Sequence, residues 1–181
     1  MRHVICAFGT LLCTVPGLTA ADLTVFLDFE SAHSARSVAE MKVETEKLLA
    51  ASGVSIGWRT VDGFRLGESF PKIAVIKLSG QCTLTSFQPA VPENDTRLGF
   101  TYRTDGAIIP FGEVECNEIR ATLSAAHLAA AGDTGDALLG RAMGRVLAHE
   151  LFHMLSGSAA HSKQGLMQKY LSAAKLVGDR M

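Results

Sequence analysis

The chain has 181 residues, 48% of them apolar and 19% charged, with a formal net charge of −1 at pH 7. That is enough apolar material for one packed domain and too little charge for a disordered chain. There is no long basic run, so the sequence makes no electrostatic case for nucleic acid or a membrane surface as a partner.

The first residues look like a targeting segment rather than part of the fold. Met1-Arg2-His3 is a short positive start, and Val4 to Thr14 is an apolar run too short to cross a bilayer. Pro16-Gly17 breaks it, and Leu18-Thr19-Ala20-Ala21 offers small residues for cleavage. Residues 1–21 are therefore expected to be a signal peptide, cut after Ala21 or Ala20, with an uncleaved anchor as the alternative. Cys13 follows Leu11-Leu12 rather than small residues, which argues against lipid attachment. The expected product is a single domain over residues 22–181, secreted or periplasmic, with no stable membrane span after cleavage. It keeps two cysteines, Cys82 and Cys116. An even count in an exported chain predicts one disulfide, with two buried thiols as the alternative.

Leu23 to Phe29 is apolar enough for a buried strand. Ser34 to Leu49 has helical spacing, with Val38, Met41, Thr45, Leu48 and Leu49 on one side and Gly53 as a stop. Val54, Ile56 and Trp58 alternate as in a half-buried strand, and Val61 to Phe70 reads as a loop. Lys72 to Leu78 is another strand. Ser79 to Arg97 is a polar connection containing Cys82, Pro89 and Pro92. Leu98 to Tyr102 and Ala107 to Phe111 form a strand pair around Thr104-Asp105-Gly106, with Pro110 suited to an edge.

Asn117 to His127 is a short helix and Ala130 to Thr134 a loop. The last long helix runs from about Asp136 to Leu155. Leu139, Ala142, Val146, His149 and His153 follow one face of it, and Gly140, Gly144, Leu147 and Leu151 a neighbouring one. Each glycine costs about 1 kcal/mol relative to alanine, so close packing against a sheet is the expected return. The order of elements predicts an α/β (α+β) sandwich with the long helix behind a mixed sheet.

That helix carries His149-Glu150-Leu151-Phe152-His153. Residues four apart share a helix face, so both imidazoles can address one metal ion, and Glu150 is placed to reach a water on that metal without binding it. A catalytic zinc normally takes three protein ligands. No glutamate follows Glu150, and the only later aspartate is Asp179, near the chain end. His161 is therefore the expected third ligand, with Gly157 ending the helix and Ser158-Ala159-Ala160 small enough for a tight return. His33 and His127 are expected to be ordinary loop and helix-end residues.

The run HELFHMLSGSAAHSKQGLM, residues 149 to 167, resembles the metzincin clan of zinc endopeptidases, and within it short exported matrixin-like bacterial proteins. His149, His153 and His161 match the three ligands, Glu150 the general base, and Met167 the methionine of the turn beneath the metal. The third histidine stands two places later than the clan's common spacing, while Met167 keeps the offset of 18 from His149. The resemblance implies a mixed twisted sheet, a backing helix, a zinc-site helix and a very short C-terminal subdomain. A long pro-segment with a metal-blocking cysteine is missing, so latency by that route is not expected.

The expected chemistry is peptide-bond hydrolysis at one catalytic Zn2+, with Glu150 moving the proton and a protein or peptide as substrate. Tyr170 is a candidate oxyanion donor, with a packed aromatic as the alternative. The segment Gly106 to Phe111 could add an extended substrate as a strand, with an ordinary core strand as the alternative. The competing readings are a non-catalytic exported zinc-binding or interaction module, and a metal-dependent hydrolase of non-peptide amides.

Overall fold

A computed structural model of the chain describes residues 21–84, 97–126, 128 and 132–178. The proposed signal segment, apart from Ala21, lies outside the described residues, as do Pro89, Pro92, His127 and Asp179. No helix among the described residues is long and apolar enough to cross a membrane.

Five strands form one mixed sheet: β1 (Leu23–Phe29), β2 (Ile56–Thr60), β3 (Ile73–Ser79), β4 (Gly99–Thr104) and β5 (Ala107–Glu115). Their order is β2-β1-β3-β5-β4. All neighbours run parallel except β4, which returns antiparallel along β5 and forms one edge. The β4–β5 turn puts Asp105 at φ 51 and Gly106 at φ 79, the two successive positive φ values that an Asp-Gly hairpin turn accommodates.

Helices α1 (Ala35–Ala50), α2 (Cys116–Ala125), α3 (Gly132–Ser156) and α4 (Ala173–Val177) complete the fold. The Ser34 hydroxyl caps α1 by accepting from the Ser37 amide at 2.9 Å. The core lies on one face of the sheet. Leu23, Val25 and Leu27 of β1, with Ala74, Ile76 and Leu78 of β3, meet Met41 and Leu49 of α1 and Leu139, Ala142, Met143, Val146, Leu147 and Leu151 of α3. This is the mixed sheet with a backing helix and a long helix that the sequence predicts.

The core-facing side chains shrink toward β4. Ile76 aligns with Gly112 of β5, which aligns with Thr101, while Val114 aligns with Gly99. A Cβ on Gly99 would come within 2.7 Å of Val146 Cγ1, and one on Gly112 within 2.6 Å of Met154 Cε. Large aliphatics hold α3 away from β1 and β3. Glycines let it descend onto the β4 side of the sheet, and that brings its histidines to the edge strand.

Three expectations need correction. Gly140 and Gly144 pack against α1, not the sheet: a Cβ on Gly144 would lie 2.7 Å from the Met41 carbonyl oxygen, and one on Gly140 would strike that of Ser37. The outer edge on this side of the sheet is β4, the opposite one being β2, and β5 is an inner strand from Phe111 onward, where β3 flanks it; only its residues 107–110 keep the edge character expected of Pro110. Pro110 accordingly sits where the β4–β5 register shifts, between Ile108 and Gly112, just before pairing with β3 begins. The long helix also starts at Gly132, so part of the predicted loop is helical. Asp136 is not its start: its buried carboxylate accepts from the Leu84 amide at 2.5 Å and the Thr83 hydroxyl at 3.2 Å.

Cys82 and Cys116 form a disulfide with Cα atoms 5.1 Å apart. It ties α2 to the segment after β3, and the Cys82 carbonyl in turn accepts the buried Ser37 hydroxyl of α1 at 2.6 Å.

Candidate metal centre

The predicted face of α3 is buried along its length, and at its C-terminal end it carries His149 at 7% exposure and His153 at 6%. Gly157 follows at φ 63, the left-handed stop that ends the helix and turns the chain back. The return brings His161 beside the helix pair. Its ring centroid lies 5.2 Å from that of His149 and 4.9 Å from that of His153, and one ring nitrogen from each of the three falls within 4.8 Å of the others. These three residues could hold a metal ion, and among the described residues no other such group occurs.

The hydrogen bonds set the orientation of the helix pair. His149 Nδ1 donates to the Leu166 carbonyl at 2.9 Å, and His153 Nδ1 to the Ser158 carbonyl at 2.6 Å. A carbonyl only accepts, so each imidazole carries its proton on Nδ1. Each then turns an unprotonated Nε2 inward, and these two atoms are 3.0 Å apart. Two facing lone pairs repel unless a cation lies between them. Ligands about 2.0–2.1 Å from a tetrahedral zinc would stand a few tenths of an ångström further apart than this. The donor set therefore fits a divalent ion of zinc's kind, and the backbone carbonyls that fix the ring tautomers are the usual outer support of such a site.

Burial holds the His149 imidazole below its ordinary range. His161, at the exposed rim, is lowered as well, first by partial desolvation and then by the neighbouring imidazoles, Lys169 and Arg103. Both effects favour the neutral rings that bind metal.

Glu150 points to the cleft side of α3 and is 5% exposed. Burial pushes its carboxyl above the ordinary glutamate range, and a hydrogen bond from Thr101 works against that shift. The Thr101 hydroxyl donates to Glu150 Oε2 at 2.6 Å. Sequence reading missed Thr101. The available signal was strand alternation, which puts it on the same face as Gly99, under the helix. The carbonyls of Ser158 and Leu166 left no signal, since every residue has one.

A cleft of about 760 Å3 opens beside the histidines, between β4 and the loop that follows His161. Tyr170 lines it at 70% exposure, so it is not the packed aromatic that was the alternative. Met167 is half-buried, and its carbonyl accepts from the Ser162 amide at 2.7 Å. This short pairing positions the neighbouring Leu166 carbonyl under His149. His33 stands apart, stacked on Phe29 with centroids 4.0 Å apart.

No protein-family model, no curated protein and no solved structure matches the chain. The functional reading therefore rests on the residues and their geometry.

Proposed function

We propose that this chain is an exported zinc-dependent endopeptidase of the metzincin kind. The observation that carries the reading is the joint placement of three histidine nitrogens and one buried carboxylate, Glu150, at the floor of an open cleft bordered by a free strand edge. A purely structural zinc site more often closes with four protein ligands and has no use for a carboxylate beside them. An edge strand offers unpaired backbone groups along which an extended peptide can lie, and here β4 takes the role that the sequence suggested for the segment Gly106 to Phe111.

His149, His153 and His161 would hold the ion. When bound, zinc supplies Lewis acidity toward a water and a carbonyl oxygen. Glu150 takes the proton from the attacking water and delivers it to the leaving amine. Burial raises its affinity for that proton, and Thr101 keeps the carboxylate aimed. The β4 edge holds the substrate extended. Tyr170, which lines the cleft, would be the candidate donor to the oxyanion, and Met167 the methionine of a supporting turn. The disulfide is compatible with an oxidising compartment, in line with export.

The test compares wild type with Glu150→Ala at equal zinc content on an unfolded protein substrate. Chelator-sensitive cleavage by wild type, with loss of at least ~100-fold in the variant, is expected. Persistence of the activity in the variant would remove Glu150 from the reaction. A zinc-loaded wild type that cleaves no peptide bond would favour a non-catalytic zinc module or a hydrolase of other amides.

A further inference from the structure

The walls of the cleft differ in charge from the rest of the molecule. Across the chain, 17 lysines and arginines are balanced by 18 acidic residues. The cleft is lined by Arg97, Arg103 and Lys169, and among the described residues its only acidic lining residue is Glu150. In the proposed reaction Glu150 belongs to the proton transfer, which leaves cations as the charged recognition groups among the described residues, beside a site whose metal ion would add positive charge.

The cleft cations differ from five others in the molecule that are engaged by acidic side chains, although Lys42 elsewhere also lies over an aromatic ring rather than beside a carboxylate. Arg36, Lys47, Arg59, Lys77 and Arg145 each stand within ion-pair distance of a carboxylate. Among the described residues Arg97 and Arg103 have no such partner, and Lys169 lies over the Tyr170 ring at 5.2 Å from its centroid. All three are exposed.

Their placement matches an extended ligand. Arg97 lies just before β4, Thr101 within it and Arg103 near its end, past the point where the register to β5 shifts, and all three line the cleft. At about 3.3 Å per residue the two arginines can stand at most roughly 20 Å apart, and the Thr101–Glu150 contact falls between them in sequence. Lys169 comes from the opposite wall, and it and Arg103 both bear on His161. A peptide lying along β4 would pass cations on both sides of the reacting bond.

We propose that the cleft selects acidic polypeptide segments, with aspartate or glutamate side chains on either side of the bond to be cleaved. This rests on the endopeptidase reading, but its charge preference can be measured without cleavage. Two fluorescent peptides of equal length and apolar content, one rich in Asp and Glu and one rich in Lys, serve as probes. Binding is read by anisotropy on zinc-loaded Glu150→Ala protein, and cleavage on zinc-loaded wild type.

The acidic peptide should bind and be cleaved about tenfold better at low salt, with the difference shrinking as salt is raised, because exposed pairs are individually weak and screened. The double variant Arg103→Glu, Lys169→Glu should reverse the preference while retaining its zinc and its circular-dichroism spectrum. Equal binding of both peptides, or a preference for the basic one, overturns the inference even if both are cleaved. Selective binding of the acidic peptide without any cleavage sustains it and overturns the endopeptidase reading instead. No binding and no cleavage of either peptide overturns both.

Discussion

The Thr101 hydroxyl donates to the Glu150 carboxylate at 2.6 Å, so the edge strand beside the cleft also orients the only acidic side chain that lines it among the described residues. A hydrogen bond to a charged acceptor is worth about 1.5–3 kcal/mol. Thr101→Val should therefore lower kcat about tenfold or more, with KM and zinc content little changed, and Thr101→Ser should restore most of it. Because the donated bond stabilises the carboxylate, removing it raises the Glu150 pKa further. The acid limb of the pH–rate profile should then move to higher pH in the valine variant and stay in place in the serine variant.

Loss of His161 should affect metal binding more than folding. The residue is exposed and lies outside the core, whereas its ring nitrogen completes the group with His149 and His153. His161→Ala should weaken zinc binding by roughly 100-fold or more, beyond what loss of an outer-shell partner costs. Competition with a chromogenic chelator measures this. Unchanged affinity would mean that another residue supplies the third nitrogen or oxygen.

The lowered imidazole pKa values give the zinc-free protein a defined response to acid. His149 and His161 stay neutral in the folded chain to lower pH than free imidazole, whose value is about 6.5. The unfolded chain takes up protons first, so the stability these rings contribute is fully present above about 6.5 and lost as pH falls through the lowered folded values. Zinc affinity should hold through neutral pH and fall only below that range. Denaturant titrations with and without zinc at pH 7.5 and 5.5 would check both statements. A zinc-free protein more stable at the lower pH would contradict them.

Arg145 is 1% exposed and ties α3 to two other parts of the chain, α1 and the end of α4. Its Nε donates to Glu44 of α1 at 2.7 Å, one terminal nitrogen to the Gly178 carbonyl at 2.6 Å, and the other to the Lys175 carbonyl. Arg145→Met leaves the buried Glu44 carboxylate with only the exposed Lys47, 3.6 Å away, as a charge partner and should cost ~3 kcal/mol of stability. Adding Glu44→Gln should recover a large part of that. Hydrogen exchange should show faster opening of α4 in both variants, since the carbonyls around its end lose their donors either way.

The disulfide should matter for stability rather than for the reaction itself. Cys82→Ser with Cys116→Ser should cost ~2–4 kcal/mol by thermal or denaturant unfolding, because the bridge closes a loop of 34 residues. Zinc affinity of the folded fraction should be unaffected.

Elements with a strong apolar period were legible in the sequence. The strand Leu23–Phe29 and the inward stripe from Leu139 through His153 lie as expected, because side-chain burial decides both. Boundaries failed where a polar residue had a tertiary partner. Asp136 resembles a helix start, yet it accepts from Leu84 within the helix. The packing of Gly140 and Gly144 on α1 was hidden because a glycine signals close approach without naming what approaches. The four residues of the candidate site were accessible through helical spacing and the shortage of downstream acids. Thr101 was not, since its role depends on how β4 registers against β5 and how far α3 descends.

Those two glycines also bear on attempts to stabilise the protein by engineering. Replacing an interior helical glycine by alanine ordinarily gains about 1 kcal/mol, so Gly140 and Gly144 are obvious targets for a thermostability screen. Here the added methyl would meet the carbonyl oxygens of Ser37 and Met41. Those atoms belong to the backbone, so no second-site change of side chain can clear the space. A library built on helix propensity would lose rather than gain at both positions, and selection would have to find its improvements elsewhere on α3.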